Sequence, residues 1–261
     1  MPKLTVSYSK ALLDLIRSGN ELPIDGVEVG PWFTPQEIVQ YKNELPGWPV
    51  HFHASNLISN LRYQPGASRR LASYLSNTTN DWLSIHIELL PLHVYLISRR
   101  LGVHLPPPHI EHTIQQFIKA IDKVKGEVST PIILENLPSL PVQKYHYAAD
   151  PKIIREVIET TDCGFLLDLA HVRLAALYHG QAIENHLHQL PLDRVQQIHT
   201  SGSRLDQGCL RDAHEPMAEE DYLLLEWALE HCEPTMITLE YFREPKPLRE
   251  QILRIAEIIR N

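Results

Sequence analysis

The strongest constraint in this sequence is a repeated change of period. A short apolar or β-branched run is followed by a longer segment of helical periodicity, and the pair recurs along the whole chain. LTVSYS (4–9) precedes KALLDLIRSG, and GVEVG (26–30) precedes TPQEIVQYKNEL, where Thr34 and Glu37 have the spacing of a capping box. PVHFHAS (49–55) precedes ASRRLASYLSN, and WLSIHIEL (82–89) precedes an insertion and then HTIQQFIKAIDKVKGE. PIILENL (131–137) leads to DPKIIREVIETT, GFLLDLAH (164–171) to QAIENHLHQL, VQQIHTS (195–201) to a long loop and EEDYLLLEWALEHC, and MITLEY (236–241) to KPLREQILRIAEIIRN. Eight such units in 261 residues predict a closed (β/α)8 TIM barrel, an α/β fold in a single domain over 1–261. A doubly wound open sheet would carry a Gly-rich phosphate loop after its first strand, and none is present. The Pro-rich LPPPHI (105–110) reads as a stiff loop in the insertion after the fourth strand.

Composition narrows the function classes. The net charge of −8 argues against broad electrostatic binding to nucleic acid or to an acidic membrane, while leaving room for a local basic groove. Three cysteines without a CxxC pair suit a reducing compartment, MPKLTVSYSK lacks a signal-peptide core, and no apolar run is long enough to span a bilayer. These features predict a cytoplasmic protein that does not engage membranes. Histidine is the unusual component, at 15 residues.

In such a barrel the active site lies at the C-terminal ends of the strands. The third strand ends near His53, the fourth near His86, the fifth at Glu135, the sixth at Asp168 with His171 beyond it, and the seventh near His199. The loop after the seventh carries Asp212 and His214, and the eighth strand ends at Glu240. Carboxylates converging without cations would repel one another, and bound divalent metal relieves that. An N/O donor set without thiolate suits zinc, iron, manganese or cobalt, and its size predicts two or three ions sharing a bridging carboxylate.

Other residues have plainer readings. His51 points the same way as His53 but deeper, as a satisfied core histidine. Glu28 and Glu88 are secondary candidates only, supporting or substrate contacts if their side chains face the mouth. His93, His104, His109 and His112 belong to a lid or surface, His179 to a helix C-terminus, and His186, His188 and His231 to outer helices. Cys209 reads as an ordinary thiol. Arg204, Arg211 and Arg243 follow the last two strands, where they bind an anionic group of a substrate or pair with the acids of the mouth.

The order His53, His86, Glu135, Asp168-x-x-His171, His199, Asp212-x-His214, Glu240, with HASNLIS after the third strand, resembles the nine-ligand trinuclear site of endonuclease IV in the xylose-isomerase-like superfamily. That resemblance implies one metal at His53, His86 and Glu135, and a second at Glu135, Asp168, His199 and Glu240. It places a third at His171, Asp212 and His214. GFLLDLAHVRLAALYHG, LPLDRVQQIHTSGS and RDAHEP resemble the bacterial multinuclear non-haem iron oxidases, a family that includes the oxazolone-forming enzyme of methanobactin biosynthesis. This second resemblance runs from about residue 26 to 245, with Ala170 and His171 standing where those oxidases carry two asparagines.

The resemblance to the oxidases implies iron, dioxygen and a peptide or small-molecule substrate, and a partner protein that delivers a peptide. Three alternatives stand beside it: a phosphodiester hydrolase acting on nucleic acid, a sugar isomerase or epimerase, and a non-catalytic metal-holding subunit. Glu135 and Glu240 are the candidate catalytic residues for proton transfer.

Overall fold

The computed structural model describes residues 1–55, 67–88, 100–101, 109–138, 147–206 and 208–260. His93, His104, most of LPPPHI and the second half of HASNLIS lie outside these residues, as does the Cys209 side chain.

Eight parallel strands close into a barrel: β1 (Lys3–Ser7), β2 (Gly26–Val29), β3 (Val50–Ser55), β4 (Leu83–His86), β5 (Ile132–Glu135), β6 (Gly164–Asp168), β7 (Val195–Thr200) and β10 (Met236–Leu239). Sequential neighbours pair, and β10 closes the ring against β1. The expected (β/α)8 architecture is therefore present. Alternation along each strand sorts the side chains. On β3, Phe52 and Ala54 are buried in the layer beneath the helices, while His51, His53 and Ser55 take the opposite, barrel-interior positions.

The helices cover the outside through apolar stripes. Helix α1 (Lys10–Arg17) starts at Ser9, whose hydroxyl accepts the Leu12 N–H. Helix α2 (Pro35–Lys42) begins with the anticipated capping box, the Thr34 hydroxyl accepting the Glu37 N–H at 3.2 Å and Glu37 accepting the Thr34 N–H at 2.7 Å. Helix α3 is Ala67–Leu75. Helix α4 (Ile110–Lys125) buries Ile114, Phe117, Ile118, Ile121 and Val124 at helical spacing. Helix α5 is Pro151–Thr161, α8 is Glu219–His231 and α9 is Pro245–Arg260. Among the described residues, no helix is long and apolar enough to cross a membrane.

Two local expectations need correction. The sixth strand stops at Asp168 as expected, but the helix that follows is not QAIENHLHQL: α6 (Leu169–Tyr178) begins at once, and QAIENHLHQL supplies only the short α7 (Ile183–Leu187). Asp168 is the N-cap of α6, its Oδ1 accepting the His171 N–H at 2.7 Å. Nearly every side chain of α6 from Leu169 to Ala176 is buried, so the segment has no polar face and its period is invisible in sequence. The loop after β7 is an antiparallel hairpin, β8 (Gly202–Asp206) with β9 (Cys209–Glu215), turning through Gly208 at φ 79°.

Strand register sets the height of the functional side chains. His86 lies opposite Glu135, Asp168 opposite His199, and His53 opposite Ser84. Glu240 follows β10, its N–H bonded to the Thr200 carbonyl. The barrel thus delivers these groups to one rim, and the hairpin adds residues 212 and 214.

Candidate metal centre

At this rim three ligand atoms form a compact triangle. His53 Nε2 and His86 Nε2 are 3.1 Å apart, and each is 3.3 Å from Glu135 Oε2. Bonds of about 2.0–2.2 Å directed tetrahedrally place neighbouring ligands about 3.3–3.6 Å apart, so the triangle has the size of a coordination face. Ser84 Oγ lies 2.8 Å from His53 Nδ1, which orients that ring and leaves Nε2 for the triangle. Burial alone would raise the Glu135 carboxyl, but the facing His86 and His53 imidazoles outweigh it and bring it down to about 2. Burial holds the His53 imidazole below its ordinary value.

Glu135 also belongs to a second group. One ligand atom each from Glu135, Asp168 and His199 lie within 4.8 Å of one another, as do atoms of Glu28, His199 and Glu240. His199 Nδ1 is 3.4 Å from Glu240 Oε1, and His199 Nε2 is 3.1 Å from Glu28 Oε1. Asp168 spends Oδ1 on the α6 cap, and its Oδ2 lies 3.5 Å from His171 Nδ1. Burial raises the Asp168 carboxyl to about 7, with Glu240, Glu135 and Asp212 adding to the rise against the pull of His171. His199 is raised well above its ordinary range by Glu28 and Glu240, which overcome the effect of burial.

The third expected set is looser. His171 Nε2 is 3.2 Å from Asp212 Oδ2, and its Nδ1 donates to the Asn136 carbonyl at 2.8 Å, which points Nε2 at Asp212. His214 Nδ1 is 3.8 Å from Asp212 Oδ1 and 3.8 Å from Glu240 Oε2. Burial would lower the His171 imidazole, but Asp168 and Asp212 lift it to about 10. His214 holds φ at 46° and Ser55, beside His86, holds φ at 49°, so two of the three non-glycine residues with positive φ among those described flank the site.

Whether these residues fit a cation is tested by their unpaired atoms. Among the described residues eight buried side-chain N or O atoms have no hydrogen-bond partner: four lie at this rim, Glu135 Oε2, His199 Nδ1, Asp212 Oδ1 and His214 Nδ1, and the other four belong to His51, His186, Ser201 and Ser203. Such atoms cost free energy unless something meets their lone pairs. The four at the rim all belong to the nine expected ligands, and all are donors a divalent ion accepts.

Several supporting residues escaped the sequence reading. Asn136 clasps the strand ends, its amide donating to the Asp168 carbonyl at 3.0 Å and its oxygen accepting the Asp168 N–H at 2.9 Å. Its only signal was its place directly after Glu135. Gln197, two residues before His199 and so on the same strand face, bonds Glu28 and Thr238. His51 is buried as expected, yet its Nε2 has no partner and it is not a satisfied histidine. His186 lies on the outer helix α7, as expected, and is buried there.

The three arginines are occupied. Arg204 pairs with Glu215, and Arg211 with Asp206. Arg243 pairs with Glu215 and donates to the Ala213 carbonyl at 2.7 Å. They brace the strand that carries Asp212 and His214.

Comparison with known proteins follows the same lines. A UPF0276 protein of Rhizobium meliloti is 29% identical over 143 residues, 52% of this chain and 46% of that protein. The chain thus spans about half the length of that relative. A xylose isomerase-like TIM barrel protein from Mycobacterium smegmatis, solved with magnesium, superposes with a TM-score of 0.61 at 14% identity over 99% of this chain and 97% of its own. Endonuclease IV from Thermus thermophilus superposes with a TM-score of 0.56 at 16% identity over 98% and 99%. At these identities the likeness establishes the xylose-isomerase-like barrel fold. The family model for the RiPP precursor modification enzyme MbnB/TglH/ChrH matches residues 38–260. With that match over most of its length, the chain belongs to the MbnB/TglH/ChrH family of RiPP precursor modification enzymes.

Proposed function

We propose that this protein is a multinuclear iron oxidase that modifies a peptide. The observation that carries the reading is that four of the eight orphaned buried atoms among the described residues fall within the nine-residue constellation, at one rim. In this reading His53, His86 and Glu135 hold one ion, Glu135, Asp168, His199 and Glu240 a second, and His171, Asp212 and His214 a third. Zinc and manganese suit the same donors, and iron is favoured by the family. When bound, ferrous iron would supply the electrons for reducing dioxygen.

The chain's own residues do the rest. Glu135 is fully enclosed and sits between two ligand groups, which suits a bridge. Glu240, with 15% of its side chain exposed, is the more open of the two candidate catalytic carboxylates and the one placed to take a proton from a substrate at the rim. Arg243, Arg204 and Arg211 keep the hairpin in place rather than offering free cations. A peptide is the substrate class that the family supports, and a partner protein that delivers it belongs to the same reading.

A second reading, zinc-dependent phosphodiester hydrolysis, is favoured by the His171–Asp212 contact at 3.2 Å, because this completes the third ligand set that endonuclease IV-like sites carry. An oxygen electrode separates the two. Anaerobically prepared, iron-loaded protein should consume dioxygen when a cysteine-containing peptide is added. Protein that consumes none, but nicks abasic-site DNA when loaded with zinc, would replace the oxidase reading with the hydrolase.

A further inference from the structure

We propose that Glu28 is a positioning residue that fixes the tautomer of His199, and that Gln197 and Trp82 in turn fix Glu28. The inference rests on the metal-centre reading. It concerns three residues below the rim that touch no expected ion.

A chain of hydrogen bonds runs up the barrel from Trp82. An indole N–H can only donate, and Trp82 Nε1 lies 2.7 Å from the Gln197 amide, so the atom it meets is Oε1. The Gln197 amino group must then face the other way, towards Glu28 Oε2 at 2.8 Å and Thr238 Oγ1 at 2.8 Å. Its two hydrogens are used by those two acceptors. Gln197 Nε2 also lies 3.1 Å from His199 Nε2 but has no third hydrogen to give. His199 Nε2 therefore serves as the donor, to Glu28 Oε1 at 3.1 Å. This leaves the lone pair on Nδ1, the ring atom beside Glu240 and the one buried without a partner. Each oxygen of Glu28 accepts one hydrogen, so a carboxylate is required at this position and an amide is not equivalent. Carboxylate–imidazole pairs of this kind orient metal-ligating histidines, and their loss costs about 10–100-fold in metal affinity.

The test uses zinc as the only probe, in competition with a chromogenic chelator. Glu28→Gln keeps the shape of the side chain, so the barrel should fold. Its amide must place a donor against either the Gln197 amino group or the His199 N–H, and zinc at the His199 centre should weaken by about 10–100-fold. The exchange Glu28→Gln with Gln197→Glu again gives the Trp82 and His199 N–H groups an oxygen to meet and turns the new amide N–H towards a carboxylate, and it should recover most of that affinity. In zinc-loaded wild type, 15N spectra of the imidazoles should show His199 protonated at Nε2. Unchanged zinc affinity in Glu28→Gln, an exchange variant as weak as the single one, or a His199 protonated at Nδ1 would each overturn the inference while leaving the metal centre standing. Wild-type protein that binds no zinc at all would remove the metal-centre reading and this inference with it.

Discussion

Asp168→Asn should make the metal-free protein more stable and the metal-loaded protein less so. Asp168 is buried beside Glu135, Glu240 and Asp212, and its carboxyl is raised from 3.8 to about 7. A raised carboxyl contributes stability that is complete below pH 3.8 and lost as pH climbs through 7. Carrying the charge above pH 7 costs about 4 kcal/mol. Asparagine carries no charge, and its oxygen can still accept the His171 N–H that caps α6. The rise to about 7 is already net of the attraction to His171, so the expected gain is about 4 kcal/mol at pH 8, vanishing near pH 4. Urea unfolding with a chelator present, at several pH values, reads this directly as a shift of midpoint at constant slope. With metal at about 100 times its dissociation constant, the wild type gains about 2.7 kcal/mol while the variant gains far less. A variant that is less stable than wild type without metal at pH 8, or equally stabilised by metal, would refute the account of Asp168 as a carboxylate held for a cation.

Three further outcomes follow from the same electrostatics. Loading zinc at pH 7 should release protons, because His171 and His199 are both raised above their ordinary values in the metal-free protein; calorimetry in buffers of different ionisation enthalpy counts them, and zero release would contradict the assignment of these two rings as ligands. His186 is lowered by burial to about 4, so the fold loses about 3 kcal/mol at most as pH falls from 6.5 to 4. His186→Phe should flatten that part of the stability profile, and an unchanged profile would assign the acid sensitivity elsewhere. Arg243→Ala removes both ties to β9, so it should weaken metal bound by Asp212 and His214 while sparing the His53–His86–Glu135 group, and equal losses at both would show that the hairpin is not separately held.

The barrel was legible in the sequence because its two periods alternate cleanly. The rim was legible because strands end where their apolar runs stop, and His86, Glu135 and Asp168 stand at the last positions of their strands. Helix α6 was hidden because a helix buried on nearly every side has no amphipathic signal, and its apolar start merges with the strand before it. The hairpin was hidden because β8 is short and partly exposed, with charged Arg204 and Asp206 among its few residues. Glu28 and Gln197 lie one layer below the rim. What makes them matter is the direction of each hydrogen bond, which depends on Trp82 reaching across the barrel, and no spacing along the chain encodes that. The pairing of the arginines is likewise tertiary: Glu215 meets Arg204 across the hairpin, and Arg243 only once the hairpin has met the segment after β10.

The central claim is that this rim holds more than one metal ion through a shared Glu135. Elemental analysis of anaerobically purified protein, alongside Glu135→Ala, tests it most directly. The account predicts two or three ions per chain in the wild type and loss of at least two on removing Glu135. One ion or none in the wild type, or a variant that keeps its full complement, would contradict it.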